Sequence, residues 1–352
     1  MFHIGTIDLD MKLFRGTKMN DAAIFNDIKA LFNTYKIGNI IGKPASISGG
    51  LMHKMYKVTA ETNVYAIKCL NPSIMQRNGV VENMINSERI ANAFSNHLPV
   101  VAALNIEGHN VLHSNNKYYM VFHWIEGASI LPPSVNEENC YKIGNALGKI
   151  HHLDITVPEI KKDNTDSVIY NWQRFLEKAK EQKAYWVDTY SNMIDKLIIW
   201  NRCANDANYK LSEFMVISHR DLDPKNVMWN QGIPYFIDWE AAGYVNPYQE
   251  LLEVLNYWAS NGKGDLDKDK FKILLNAYRE NMSTKTADWD CVIDGGYANM
   301  LGWLEYSLKR ALGIESMDEE ERALGAEQIV GTIKELERYD DQMKIIKKWL
   351  CE

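Results

Sequence analysis

What this 352-residue sequence lacks narrows its function before any motif is read. No apolar run approaches the roughly 20 residues that a membrane-spanning helix needs. The opening residues, Met1-Phe2-His3-Ile4-Gly5-Thr6-Ile7-Asp8, show neither the basic start nor the apolar middle of a secretory signal. The five cysteines, Cys69, Cys140, Cys203, Cys291 and Cys351, include no C-x-x-C pair. That argues against a zinc ribbon or a disulfide framework and fits a reducing compartment. With a formal net charge of −7, the chain has no basic excess to meet a phosphate backbone. There is no internal repeat and no low-complexity linker. The expectation is a cytoplasmic protein, monomeric or weakly dimeric, whose partner is a small molecule rather than nucleic acid or membrane.

What is present is an ordinary globular composition, 46% hydrophobic and 24% charged, in a chain long enough for two lobes. One stretch organises the rest: Val216-Ile217-Ser218-His219-Arg220-Asp221-Leu222-Asp223-Pro224-Lys225-Asn226. It contains H-R-D-x-x-x-x-N, the catalytic-loop pattern of kinases. A short apolar run, Tyr235-Phe236-Ile237, then leads to Asp238-Trp239-Glu240. Phosphoryl transfer needs a carboxylate to orient the attacking hydroxyl and accept its proton, and Asp221 fits that role. It also needs hard oxygen ligands for Mg²⁺, which the Asn226 amide and the Asp238 carboxylate can supply. The runs 216–218 and 235–237 read as two strands of one small hairpin, with the turn at Gly232-Ile233-Pro234.

Upstream, Ile24, Phe25, Ile28, Leu31, Phe32 and Tyr35 recur at helical spacing, with Asp21 as a cap and Gly38 as the end. The runs 40–47, 55–58, 64–70, 100–106 and 118–122 read as an antiparallel sheet of about five strands. Ser48-Gly49-Gly50 forms a turn whose glycines permit close backbone approach to a phosphate. Lys68, in Ala66-Ile67-Lys68, sits among apolar neighbours and suggests a charge pointing into a cleft. Its expected partner is Glu88, with Glu82 the rival, in the helical stretch 81–91. Gly42-Lys43 is not a phosphate loop of the Walker type, because Pro44 follows it. His123-Trp124-Ile125-Glu126-Gly127 breaks the strand pattern and reads as a hinge. Downstream the periodicity is helical at 138–152, 168–179, 193–203, 248–259, 270–281 and 297–312, with a final pair of helices through Trp349. His151-His152 does not read as a metal pair, since adjacent helical residues do not share a face.

Taken in order, Ser48-Gly49-Gly50, Lys68, Glu88, Ile125-Glu126-Gly127, Leu147-Gly148-Lys149-Ile150-His151, His219-Arg220-Asp221 through Asn226, and Ile237-Asp238-Trp239-Glu240 resemble the aminoglycoside phosphotransferase and choline kinase family. The resemblance runs from about Ile40 to about Leu255. It implies an α+β, protein-kinase-like two-lobe fold with a small antiparallel β-sheet N-lobe and a mostly helical C-lobe. The implied division is an N-terminal nucleotide-binding lobe at 1–122, a hinge at 123–127 and a C-terminal lobe at 128–352.

The implied activity is ATP- (or GTP-) and Mg²⁺-dependent phosphorylation of a small-molecule hydroxyl. Asp221 would be the base and Asn226 and Asp238 the metal ligands. Ser48, Gly49, Gly50, Lys68 and Glu88 would serve the phosphates, and Phe122, His123 and Ile125 the nucleotide base. No D-F-G or A-P-E triplet is present, which separates the chain from protein kinases. Arg220 departs from the pattern, in which glycine or asparagine is common at that position. Lys225 is a candidate charge near the γ-phosphate, and His219 a buttress for its loop. Trp239, Tyr257, Trp258, Trp303 and Tyr306, beside Glu240, Glu253 and Glu305, could form a pocket for a cationic substrate such as an aminoglycoside. They could equally pack helices together. A choline-, sugar- or homoserine-type acceptor, or a protein, is the alternative.

Overall fold

The computed structural model describes residues 21–47, 53–162, 168–263, 265–316 and 318–352. The Ser48-Gly49-Gly50 turn lies outside the described residues. Helix α1 (Asp21–Thr34) opens the described chain and aligns Ile24, Ile28, Leu31 and Phe32 on one buried face. That face covers an antiparallel sheet of β1 (Ala45–Ile47), β2 (Lys54–Thr59), β3 (Val64–Cys69), β4 (Leu112–Ser114) and β5 (Lys117–His123), in the order β1-β2-β3-β5-β4. Alternation along β3 puts Ile67 into the core beneath α1, whereas Lys68 stands opposite Met120 on the other face. There Leu70, Met75, Met84, Ala103 and Met120 form a second small core with α2 (Pro72–Met75) and α3 (Val80–Ser95).

Residues 100–106, expected as a strand, are not one. Val101 N–H donates to the Phe236 carbonyl, Leu104 N–H to Val121 and Ala103 N–H to the Glu88 carboxylate, while Val100 and Ile106 bond locally to the Leu98 and His109 carbonyls. This segment ties α3, the sheet and the later catalytic-loop region together, and β4 takes the fifth place in the sheet.

The remainder is mostly helical: β6 (Ala128–Ser129), α4 (Glu137–Leu153), α5 (Trp172–Glu181), α6 (Val187–Ser191), α7 (Ile194–Leu211), β7 (Val216–Ser218), β8 (Val227–Asn230), β9 (Ile233–Phe236), β10 (Gly243–Val245), α8 (Pro247–Trp258), α9 (Lys268–Arg279), α10 (Trp289–Gly295), α11 (Tyr297–Ala311) and α12 (Glu319–Cys351). Reciprocal bonds between Asn136 and Asn139 start α4, and Asn246 with Pro247 at the first helical position starts α8. The expected pair of C-terminal helices is one helix of 33 residues. Gly325 does not break it. The glycine admits α11 instead, since a Cβ there would stand 2.9 Å from the Ser307 carbonyl oxygen.

The expected hairpin is also different. β7 pairs with β10, and the hairpin is β8–β9, turned by Gln231 and Gly232 at φ 50° and 77°. Positive φ at both central residues is the geometry that matches the twist of paired strands.

Helices α4 and α9 approach closely through Gly144 and Gly148. A Cβ on Gly144 would collide with the Leu274 carbonyl, and one on Gly148 would lie 2.6 Å from the Tyr278 carbonyl oxygen. Backbone cannot yield as a side-chain tip can. Gly144→Ala is therefore expected to cost about 3 kcal/mol, the upper end of ordinary overpacking. Urea unfolding checks this, and an unchanged midpoint would contradict the close crossing.

Candidate active site

The loop after β7 is built around a neutral histidine. His219 is fully buried, and its Nε2–H donates to the Ile237 carbonyl at 3.0 Å, while Nδ1 accepts the Asp221 N–H at 3.3 Å. Burial, opposed by the bond to Ile237, holds its pKa below the usual imidazole value. With both nitrogens engaged, His219 is a strut between the Asp221 and Asp238 segments. Asp223 caps the short 3₁₀ turn Pro224–Asn226 by accepting the Lys225 N–H at 2.9 Å. That turn brings the Asn226 side chain back onto Asp221. Its Nδ2 donates to the Asp221 main-chain oxygen at 2.8 Å and to Oδ2 at 2.9 Å. The amide nitrogen is thus committed, which leaves the amide oxygen as the group suited to a cation. The Asn226 carbonyl in turn accepts the Ile237 N–H, tying the loop to the residue before Asp238.

Arg220 has φ 64°, in the left-handed region that glycine and asparagine enter at least cost. The departure noted in the sequence therefore falls at a strained backbone position. Its N–H donates to Glu250 Oε1 at 2.6 Å, and the other Glu250 oxygen meets His151 Nε2 at 2.8 Å. His151 Nδ1 completes the chain at Tyr278 Oη, 2.9 Å away. Burial alone would raise the Glu250 pKa, but the donors around it, His151 first, hold it below the ordinary carboxylate value. The Arg220 guanidinium lies over Gly243, where a Cβ would stand 2.8 Å from Nη1. Lys225 Nζ lies 3.6 Å from Asp221 Oδ2.

Asp238 also takes a left-handed conformation, φ 60° and ψ 61°, and starts the 3₁₀ turn Trp239–Ala241. Trp239 is a packing residue rather than part of a substrate pocket. It is 1% exposed and lies between Phe94 of α3, at 5.4 Å between ring centroids, and His219, at 4.6 Å. Trp258 is likewise fully buried and donates its Nε1–H to the Leu222 carbonyl at 2.9 Å.

Lys68 does not pair with Glu88. Its Nζ lies 2.7 Å from Asp238 Oδ1 and 2.7 Å from Glu240 Oε2. Burial would lower the Lys68 pKa, but the two carboxylates outweigh it and raise it to about 12. Burial would likewise raise Asp238, and the Lys68 ammonium holds it below its usual value. Glu88 accepts the Ala103 N–H at 2.6 Å, and burial pushes its pKa up to about 7. Two carboxylates within reach of Lys68 outbid one already satisfied by a backbone donor. Glu240, expected in the substrate pocket, thus belongs with Lys68 and Asp238.

At the sheet's exit His123 stacks on Tyr65, and Phe122 stands opposite Ala66 in the register. Trp124 is pinned by its own N–H to the Val64 carbonyl and by Lys57, 4.1 Å from its ring centroid. Ile125 follows, partly exposed. Trp303 and Tyr306 lie together on α11, 5.6 Å apart. Arg310 already covers the Tyr306 ring at 5.4 Å, and Lys309 neutralises Glu305 at 2.9 Å. Tyr306 and Glu305 therefore meet internal cations first.

The residues that sequence reasoning undervalued are Glu250, His151 and Tyr278. A buried polar chain leaves no periodic signature; the sequence offered Glu250 only as a structural cap or lobe-packing residue and His151 only as a packing residue.

Among the described residues no cluster of three or more His, Cys, Asp or Glu is placed to hold a metal alone. Asn226 and Asp238 nevertheless fit Mg²⁺, which takes few protein oxygens and completes its shell with phosphate and water. No helix of the described residues is long and apolar enough to cross a membrane.

Comparison with known proteins agrees with this fold. A LicA homolog from Mycoplasma capricolum subsp. capricolum is 25% identical over 172 residues, covering 46% of this chain and 64% of that protein. The chain thus spans just under two thirds of that relative's length. An amicoumacin kinase solved with AMP-PNP, Ca²⁺ and Ami superposes with a TM-score of 0.59 at 14% identity, covering 95% of this chain and 96% of the other. The choline kinase LicA from Streptococcus pneumoniae does so with a TM-score of 0.54 at 14% identity, covering 89% and 99%. At these identities the likeness is one of fold, the two-lobe kinase-like arrangement of an antiparallel sheet and a helical remainder. The profile of the phosphotransferase enzyme family matches residues 46–283, more than half of the sequence, and the chain belongs to that family.

Proposed function

We propose that the protein is an ATP- and Mg²⁺-dependent kinase that transfers the γ-phosphate to a hydroxyl of a small molecule. The observation that carries this reading is the clamp of the Asn226 amide on Asp221, in a loop bonded through His219 and Ile237 to the Asp238–Lys68 pair. Asp221 would receive the hydrogen bond of the substrate hydroxyl and take its proton as the oxygen attacks. Asn226, through its oxygen, and Asp238 would hold the metal, which when bound spreads the charge of the phosphates. Lys68 would then turn from Asp238 and Glu240 towards the phosphates, with Glu88 buried close by. The residues 1–122 and 128–352 act as lobes about the hinge 123–127, where Phe122, His123 and Ile125 meet the base. The main contribution of the protein is positioning and preorganised charge.

The family, and the names of similar proteins, a choline kinase and an amicoumacin kinase, support a small-molecule acceptor. The half-buried Trp303 and its neighbour Tyr306 are the remaining aromatic candidates for the acceptor side. An ATP-consumption screen over aminoglycosides, choline, ethanolamine and hydroxylated metabolites tests the reading; phosphorylation only of proteins would overturn it. Mg-ATP is expected to raise the unfolding temperature, by about 2.7 kcal/mol of stabilisation at a hundredfold excess over Kd. Asp238→Ala should bind ATP equally well with and without Mg²⁺. A metal-dependent shift that survives this substitution removes Asp238 from the site.

A further inference from the structure

His53 lies just before β2 with its side chain only 3% exposed. Its Nδ1 accepts the Asn71 N–H at 3.0 Å, which places the ring proton on Nε2. That Nε2–H is buried and has no hydrogen-bond partner among the described residues. Such a donor carries an uncompensated desolvation cost when nothing accepts from it. It is oriented from behind by a main-chain bond. The nearest carboxylate oxygen, Glu240 Oε2, is 3.6 Å away, beyond hydrogen-bond length, and is already bound by Lys68 at 2.7 Å. His53 and Lys68 therefore flank one acceptor position from two sides, and only Lys68 is satisfied there.

Chemistry restricts what can complete the arrangement. A protonated Nε2 cannot ligate a metal, so the occupant must be an acceptor. Burial, and Lys68 after it, hold the His53 pKa at about 4, so at neutral pH the ring donates without adding charge. An anion that takes the place of the Glu240 carboxylate at the Lys68 ammonium would meet both donors at once. We propose that His53 is a phosphate-binding residue: its Nε2–H donates to an oxygen of the nucleotide phosphates alongside Lys68. Resting on the kinase reading above, this adds a residue that the sequence motifs did not mark.

The test measures binding rather than turnover, by calorimetry with Mg-ADP and with adenosine. His53→Asn keeps an acceptor near Nδ1 but does not reach the Nε2 position, whereas His53→Gln places an amide N–H there. The asparagine variant is expected to bind Mg-ADP about 10-fold or more weakly, the size of a lost hydrogen bond to a charged group, with adenosine affinity unchanged. The glutamine variant should recover most of that loss. Equal Mg-ADP affinity in the wild type and the asparagine variant would overturn the proposal. So would equal losses for Mg-ADP and adenosine, which would make His53 a purely structural residue. A wild-type protein that binds no Mg-nucleotide at all would instead sink the kinase reading, and this one with it.

Discussion

Asp221→Asn is expected to lower turnover by about 10²–10⁴-fold, the range supplied by a positioned general base, while nucleotide binding stays within about twofold of wild type. The substitution keeps the size of the side chain and an oxygen that can accept the Asn226 Nδ2–H, now 2.9 Å from Oδ2. The loop should therefore hold its shape, and the loss should be chemical. Lys225, 3.6 Å from the same carboxylate, is too distant to replace it as a proton acceptor, and as an ammonium it has no lone pair to offer. Steady-state kinetics beside nucleotide titration separate the two effects. Retained turnover would remove Asp221 from the role of base. A parallel loss of nucleotide affinity would show that it acts through the loop's structure.

The second large effect is expected far from any phosphate. Glu250→Ala removes an acceptor shared by the Arg220 N–H and the His151 ring, in a place where Glu250 is 1% exposed. Breaking a buried polar pair from one side costs about 3–5 kcal/mol, because the partners stay buried without a bond. The loss should appear as a lower midpoint in urea unfolding. Activity should fall as well, since Arg220 holds its left-handed backbone only while the surroundings compensate the strain. Glu250→Gln, which retains one acceptor, is expected to lose less than half as much. A Glu250→Ala protein as stable as the wild type would mean that water replaces the carboxylate and that the chain Arg220–Glu250–His151–Tyr278 does not support the loop.

These two residues show how unevenly the site could be read from the sequence. Asp221 and Asn226 lie five positions apart, and a capped 3₁₀ turn between them makes their contact a local event. Local spacing survives in a sequence, so that pair was legible. Arg220 was legible too, as an odd residue at a position suited to glycine or asparagine, and the structure supplies the reason in its φ of 64°. Lys68 was recognised from its strand, but its partner was not. Three carboxylates, Glu88, Asp238 and Glu240, compete for its ammonium, and the two that hold it stand 170 and 172 positions away in the chain. Glu88 is withdrawn from that competition by a backbone donor from a segment that looked like a strand.

The same division holds for the architecture. Hydrophobic periodicity determined that α1, α4 and the later helices exist and that a small sheet lies between α1 and α4, while motif spacing singled out the loop between β7 and β8. Periodicity reports what each segment buries, and burial is a property of the segment. Only the tertiary structure decided that β7 pairs with β10 rather than with the run before Asp238. It also decided that residues 100–106 spread their donors over separate partners instead of one neighbouring strand, and that the last two helical patterns are a single helix. Each of those outcomes turns on which distant group satisfies a buried donor or charge. That choice is made by competition in three dimensions, and no local pattern encodes the winner.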